Sequence, residues 1–252
     1  MDYMEYLQNL SFRFIKPHTR MPVSEDFYQK RLQYIIKHGK TGLPEKFGMF
    51  LEMLNTGFPE YELSLKRSFI RLKDVPRMST LAIAAIINES VARMSSEDVF
   101  VNVGIWHGFS FLSGLLDNPG KICVGVDNFS EFGGPREHFL RRFGQLKSPN
   151  HLFYDMDYLK YFEEIHEGQI GLYFYDGNHS YEDQIKGLQV AEPFFSPKCI
   201  ILVDDTNWNE PYDATIDFVK ASQNSYKILL DVKTKHNCHP TIWNGILVIQ
   251  RT

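Results

Sequence analysis

Five short, nearly unbroken apolar runs, separated by stretches with helical spacing, constrain this chain more than any other feature. They are VFVNV (99–103), ICVGV (122–126), HLFY (151–154), GLYFY (171–175) and CIILV (199–203). Runs this short do not make a core helix, and without polar alternation they read as strands buried on both faces. Alternating with helices, such strands form a parallel sheet covered on each side. Two further runs, YKILLDV (226–232) and GILVIQ (245–250), have no helical pattern between them and are expected to pair antiparallel at the sheet edge. STLAIAAIINESVARM (79–94) carries a strong apolar face, with Ser79 or Thr80 as N-cap, and predicts a helix just before the first strand. The expected class is α/β.

Residues 1–78 read differently. Their charges are mixed and their aromatics scattered at helical spacing, as in Phe27, Arg31, Tyr34, Ile35 and His38. We read them as a helical cap that serves as a substrate-covering or dimerisation arm, with 79–252 as the main domain. GKTGLP (39–44) invites a phosphate-loop reading, but the upstream glycine and preceding strand of such a loop are missing, and the reading is rejected. A net charge of −4 gives no electrostatic footprint for nucleic acid. No apolar run approaches bilayer length, and MDYMEYLQNL lacks a signal-peptide core. Cys123, Cys199 and Cys238 show no metal-type spacing. Two of them sit inside apolar runs, which suits a reducing, cytoplasmic compartment.

Ligands of open α/β sheets bind beyond the carboxyl ends of the strands, so those positions carry the functional reading. The first strand runs into Gly104-Ile105-Trp106-His107-Gly108-Phe109-Ser110. Gly104 permits a tight turn, and Gly108 lets a helix pack against the strand. The second strand ends at Asp127, about 20 residues on, where an acid accepts hydrogen bonds from ribose hydroxyls. The third leads into Asp155 and Met156, where Asp155 serves equally well as a helix cap. The fourth ends at Asp176-Gly177-Asn178-His179 and the fifth at Asp204-Asp205. Three carboxylates at one sheet edge repel unless a cation or proton lies among them, and oxygen ligands of this kind suit Mg²⁺, Ca²⁺ or Mn²⁺. The competing reading has them capping helices and pairing with Lys or Arg. His179, beside Asp176, can act as base or ligand. His107 lies inside the glycine turn, which is expected to face a cofactor, and is therefore a weaker candidate to act.

The segments VFVNVGIWHGFS, VGVDNF, YFYDGNHSYED and CIILVDDTN resemble the class I S-adenosylmethionine-dependent methyltransferases, and in particular small-molecule O-methyltransferases related to macrolide-sugar and catechol methylating enzymes. The resemblance covers about 79–252. It implies a Rossmann-like seven-stranded sheet, five parallel strands plus a terminal antiparallel hairpin, with helices on both faces. It implies S-adenosylmethionine against Gly104, Gly108 and Ser110, with Asp127 on the ribose and Asp155 or Met156 beside the adenine. Asp176 and His179 would lie near the methyl donor. Asp176, Asp204 and Asp205 would fall where metal-dependent members bind Mg²⁺. Relatives often carry an acid two residues before the first glycine; Asn102 stands there and would reach the cofactor's amino group with an uncharged side chain. The TNWNEPYDAT segment after Asp205 lacks the relatives' compact Tyr-Gly start.

The expected reaction is O-methylation of a hydroxylated small molecule such as a sugar, polyketide or phenol, with His179 or an aspartate taking the proton. Phe12, Phe14, Phe27, Tyr28 and Tyr34 would shape the acceptor pocket, and a homodimer is expected. Three alternatives stay open: a metal-free methyltransferase, a non-catalytic binding or assembly protein on the same fold, and an NAD-dependent oxidoreductase. The last is disfavoured by a G-x-x-x-G turn where G-x-G-x-x-G is needed.

Overall fold

The computed structural model describes residues 1–20 and 25–252, with side chains from residue 30 onward in the second stretch. The chain begins with α1 (Tyr3–Asn9), β1 (Ser11–Phe12), α2 (Glu25–His38), α3 (Leu43–Asn55), β2 (Thr56–Gly57) and α4 (Glu62–Phe69). It continues through α5 (Leu81–Arg93), β3 (Val99–Val103), α6 (Phe109–Leu115), β4 (Ile122–Asp127), α7 (Arg136–Leu146), β5 (His151–Asp155), α8 (Tyr158–Glu164) and β6 (Ile170–Tyr175). It closes with α9 (Tyr181–Ala191), β7 (Phe195–Asp204), α10 (Asn209–Ala221), β8 (Tyr226–Val232) and β9 (Ile246–Arg251).

The main sheet has seven strands in the order β5-β4-β3-β6-β7-β9-β8. The first five are parallel; β9 runs antiparallel to β7, and β8 antiparallel to β9. Each strand lies where its apolar run was read. β7 is the exception in length, beginning at Phe195 rather than at residue 199 because Ile170 of β6 pairs with Phe195 ahead of the main register.

Side-chain alternation divides the core into two layers. Phe100, Leu172, Phe174 and Leu202 face α5, α6 and α7. Val101, Tyr173, Tyr175 and Ile201 face the side of α8, α9 and α10. Helix α5 is buried almost all round, as its Leu-Ala-Ile-Ala-Ala-Ile-Ile run dictates, and Thr80 caps it by accepting from the amide of Ile83. Tyr6, Leu7, Met49, Phe58 and Phe69 from the N-terminal elements join the same apolar cluster as α5. That region holds helices and the small β1–β2 pair. The three cysteines are free, and no described helix is long and apolar enough to cross a membrane.

Candidate active site

From β3 the chain steps to β4 and β5 on one side and then returns to β6 on the other. The crevice between the carboxyl ends of β3 and β6 is therefore the topological switch point. Gly104 makes the crevice possible. Its φ is +80°, and a Cβ placed there would lie 2.0 Å from the carbonyl oxygen of Asp176. The backbone ladder continues past both strand ends, with Gly104 N donating to Val126 O at 2.9 Å and Asp176 N to Val103 O at 2.8 Å. Asp127 fixes the turn. Its Oδ2 accepts from the amides of Ile105 at 2.6 Å and Trp106 at 2.8 Å, and its Oδ1 from that of Phe129 at 2.6 Å. A carboxylate offers about four acceptor positions, so roughly one remains for a ligand.

A cavity of about 980 Å³ opens over this turn and extends to the ends of β6 and β7. There His179 Nε2 lies 3.7 Å from Asp176 Oδ1, 4.0 Å from Asp204 Oδ1 and 3.7 Å from Asp205 Oδ2. Burial alone would pull His179 down, but the three carboxylates outweigh it and lift the imidazole to about 9. Burial, then Asp176 and Asp205, push Asp204 well above the usual carboxylate range. Burial lifts Asp205 to about 6, with Asp176 adding to the rise and His179 opposing it. Burial also raises Asp176. Asp204 Oδ1 and His179 Nδ1 are buried without a hydrogen-bond partner among the described residues.

Ligand atoms of Asp176, His179 and Asp204 lie within 4.8 Å of one another, a spacing that fits a single cation. Hard carboxylate oxygens with an imidazole suit Mg²⁺ or Mn²⁺. Asp205 Oδ1 is engaged by Asn244 Nδ2 at 2.8 Å, which leaves Oδ2 toward the cluster.

Of the residues expected at the site, Gly104, Ser110, Asp127, Met156, Asp176, His179, Asp204 and Asp205 line the cavity. Asn102, Gly108 and Asp155 do not. Asn102 is fully buried, and its Nδ2 donates to the carbonyls of Gly104, Val103 and Phe174, so it buttresses the turn from below. Gly108 starts α6 at φ +95°, where a Cβ would strike the Phe139 ring at 2.7 Å; helix packing, not ligand contact, requires the glycine. Asp155 points away on the edge strand and pairs with Arg136, leaving Met156, Asp157 and Tyr158 at the wall. His107 is 1% exposed and off the cavity, although Gly104, Ile105 and Trp106 of the same turn line it. Phe12, Phe14 and Tyr34 do not line the cavity either, and the side chains of Phe27 and Tyr28 lie outside the described residues.

The sequence reading missed other walls. Arg77 lines the cavity with its guanidinium 5.2 Å above the Phe109 ring, held by Glu52 of α3 through two bonds of 2.8 and 2.7 Å. His236, Asn237 and Cys238 come from the loop between β8 and β9. Asn207 pins that loop, donating to Thr234 Oγ1 and Asn237 Oδ1 at 2.9 Å each and accepting from Thr234 N at 2.9 Å. The one signal available was the departure at TNWN itself, whose asparagines replace a compact turn with a brace.

Residues 101–206 match the family model described as a methyltransferase domain. No curated protein sequence matches the chain. Among solved structures it is similar to cofactor-bound Rv0187 from MTB (TM-score 0.56, 13% identity, covering 83% of this chain and 98% of that one). It is similar to a candidate caffeoyl-CoA O-methyltransferase from Staphylococcus aureus (TM-score 0.55, 11% identity, 84% and 100%). It is also similar to the O-methyltransferase TomG from Streptomyces achromogenes, involved in tomaymycin synthesis and solved in complex with SAM (TM-score 0.52, 13% identity, 82% and 96%). At these identities the likeness is one of fold. The matched span begins in β3 and ends just after Asp205, so it holds the glycine turn, Asp127 and the whole acid cluster: this part of the chain matches a methyltransferase domain, and the sheet order is that of the class I methyltransferase fold.

Proposed function

We propose that this protein is an S-adenosylmethionine-dependent methyltransferase that methylates a hydroxyl of a small molecule, with a divalent cation at the acid cluster. One observation carries the reading: a single cavity joins the glycine turn and Asp127 at one end to His179, the half-buried Asp176 and the buried Asp204 and Asp205 at the other. The cofactor-bound neighbours agree with it.

The residues present suit the cofactor. Asp127 keeps an acceptor position for a ribose hydroxyl, Met156 and Tyr158 offer apolar and aromatic surface to an adenine, and Gly104 leaves room beside Asp176. S-adenosylmethionine supplies a methyl on a sulfonium, and a cation held by Asp176 and Asp204, with Asp205 Oδ2 on the same side of the cluster, would lower the pKa of an acceptor hydroxyl. The protein's own part is to align the acceptor and receive its proton. His179 serves as base only when its Nε2 lone pair is free, which the carboxylates oppose and a cation favours. Trp106, Phe132, Trp208 and the 236–238 loop would contact the acceptor. We further propose a homodimer formed through the exposed apolar stripe of α3, where Leu43, Phe47, Phe50 and Leu54 recur at helical spacing.

Titration calorimetry with S-adenosylhomocysteine should give a micromolar dissociation constant. No heat at millimolar ligand would overturn the cofactor reading. EDTA should abolish methyl transfer to a panel of hydroxylated acceptors, and Mg²⁺ or Mn²⁺ should restore it. An unchanged rate would remove the cation from the proposal.

A further inference from the structure

A second cavity, of about 320 Å³, lies between the end of α2, the loop after α4 and helix α7. Its charges are one-sided. Lys40, Arg71, Arg141 and Arg142 line it, and the one carboxylate on its wall, Asp74, is already paired with Lys46 at 2.5 Å. None of the four cations has a carboxylate partner among the described residues.

Arg142 is half-buried and tied at both ends. One guanidinium nitrogen bonds His107 Nδ1 at 3.0 Å, and the other donates to Gly39 O at 2.8 Å. Arginine only donates, so the ring nitrogen facing it must offer a lone pair and the imidazole is neutral. Burial, then Arg142, holds His107 down at about 3. Arg141 meets His138 Nδ1 in the same way at 3.1 Å. Both arginines are thus oriented by neutral acceptors, and the partly buried Arg142 guanidinium has no direct carboxylate pair, Asp74 acting on it only from beyond ion-pair distance, an arrangement that an anion in the cavity would relieve.

The backbone is shaped to hold this geometry. Gly39 sits at φ +60°, and a Cβ there would lie 2.1 Å from His138 Nε2, so the loop delivering Lys40 lies flush against α7. The GKTG segment, rejected as a nucleotide phosphate loop, still brings a glycine and a lysine to a cluster of cations. Forked guanidinium donors beside a lysine match the oxygens of a phosphoryl group. A half-open pocket of this volume on a chain of net charge −4 suits a small molecule rather than a nucleic-acid strand.

We propose that this cavity binds a phosphorylated small molecule, its phosphoryl group held by Lys40, Arg71, Arg141 and Arg142. The inference stands apart from the methyl-transfer reading and does not rest on it.

The test is a titration of the full chain with inorganic phosphate against chloride at matched ionic strength, followed by thermal midpoint and by amide NMR shifts. Phosphate should raise the midpoint and move amides at 38–40, 71–75 and 138–146. Lys40→Glu/Arg71→Glu, both exposed positions, should keep the wild-type midpoint in chloride and bind phosphate at least about tenfold more weakly. Arg141→Gln provides a second variant with the same expected loss. A hexose monophosphate that binds more tightly than phosphate identifies a phosphorylated metabolite as occupant, and equal affinity identifies free phosphate. Equal effects of phosphate and chloride, or undiminished binding in both variants, would overturn the proposal.

Discussion

Gly104 and Asp127 together show what single residues do at this site. At Gly104 both the positive φ and the contact with Asp176 O exclude a side chain. Gly104→Ala should destabilise the fold by about 2 kcal/mol or more and weaken S-adenosylhomocysteine binding, as read by urea unfolding and calorimetry. Asp204 is a contrasting case. It sits buried among like charges with one oxygen unpartnered, so it works against stability. Asp204→Asn should leave the midpoint in EDTA unchanged or higher while lowering methyl transfer by about a hundredfold or more. A parallel loss of stability and activity would mean that the carboxylate is a structural partner. The strand-end acids were legible because a parallel sheet presents those positions at one edge. The three amides on Asp127 were not, since they depend on a turn in which Gly104 and Trp106 both take positive φ.

Between elements, the ties that matter are polar and distant in sequence. Glu52 of α3 holds Arg77 through two bonds and also accepts from Leu81 N at 3.0 Å, at the start of α5. Both charges are nearly buried, at 9% and 5% exposure. Glu52→Gln leaves the guanidinium without a charge partner and should cost about 3 kcal/mol in urea unfolding, an effect far above that of a surface ion pair. The apolar stripe of α3 faces outward beside that buried Glu52. Phe47→Glu/Phe50→Glu should convert a dimer to a monomer in analytical ultracentrifugation without lowering the midpoint; an unchanged mass would end the α3 dimer proposal. Strand positions were readable from apolar runs, because burial on both faces leaves no other pattern. The Glu52–Arg77 pair was not, because nothing local in either segment identifies its partner.

For the molecule as a whole, opposing titrations set the pH range of stability. His107 and His166 are held down at about 3 and about 4, chiefly by burial. Their folded-state pKa values lie below the unfolded value near 6.5, so the stability they contribute is complete above that pH and lost as pH falls toward about 4. His179, lifted to about 9, acts in reverse: its contribution is present below about 6.5 and lost as pH rises through about 9. In EDTA the thermal midpoint should therefore fall on both sides of a near-neutral maximum. Saturating Mg²⁺ or Mn²⁺ should raise the alkaline side more than the acid side, because a cation at the carboxylates supplies the positive charge that His179 loses. Identical alkaline slopes with and without metal would count against a cation at this cluster.

The apolar runs determined the α/β class, the parallel strands and their antiparallel ending, and the strand-end positions placed Asp127, Asp176, His179, Asp204 and Asp205 on one rim. Those properties follow from local periodicity and from the edge at which parallel strands end. Tertiary structure alone decided that Asn102, Gly108 and Asp155 stay off the cavity, that His107 turns toward Arg142, and that Arg77 and the 236–238 loop complete the walls. Each of these outcomes depends on which distant segment fills the neighbouring space, and such a pairing leaves no periodic trace in the sequence around either partner.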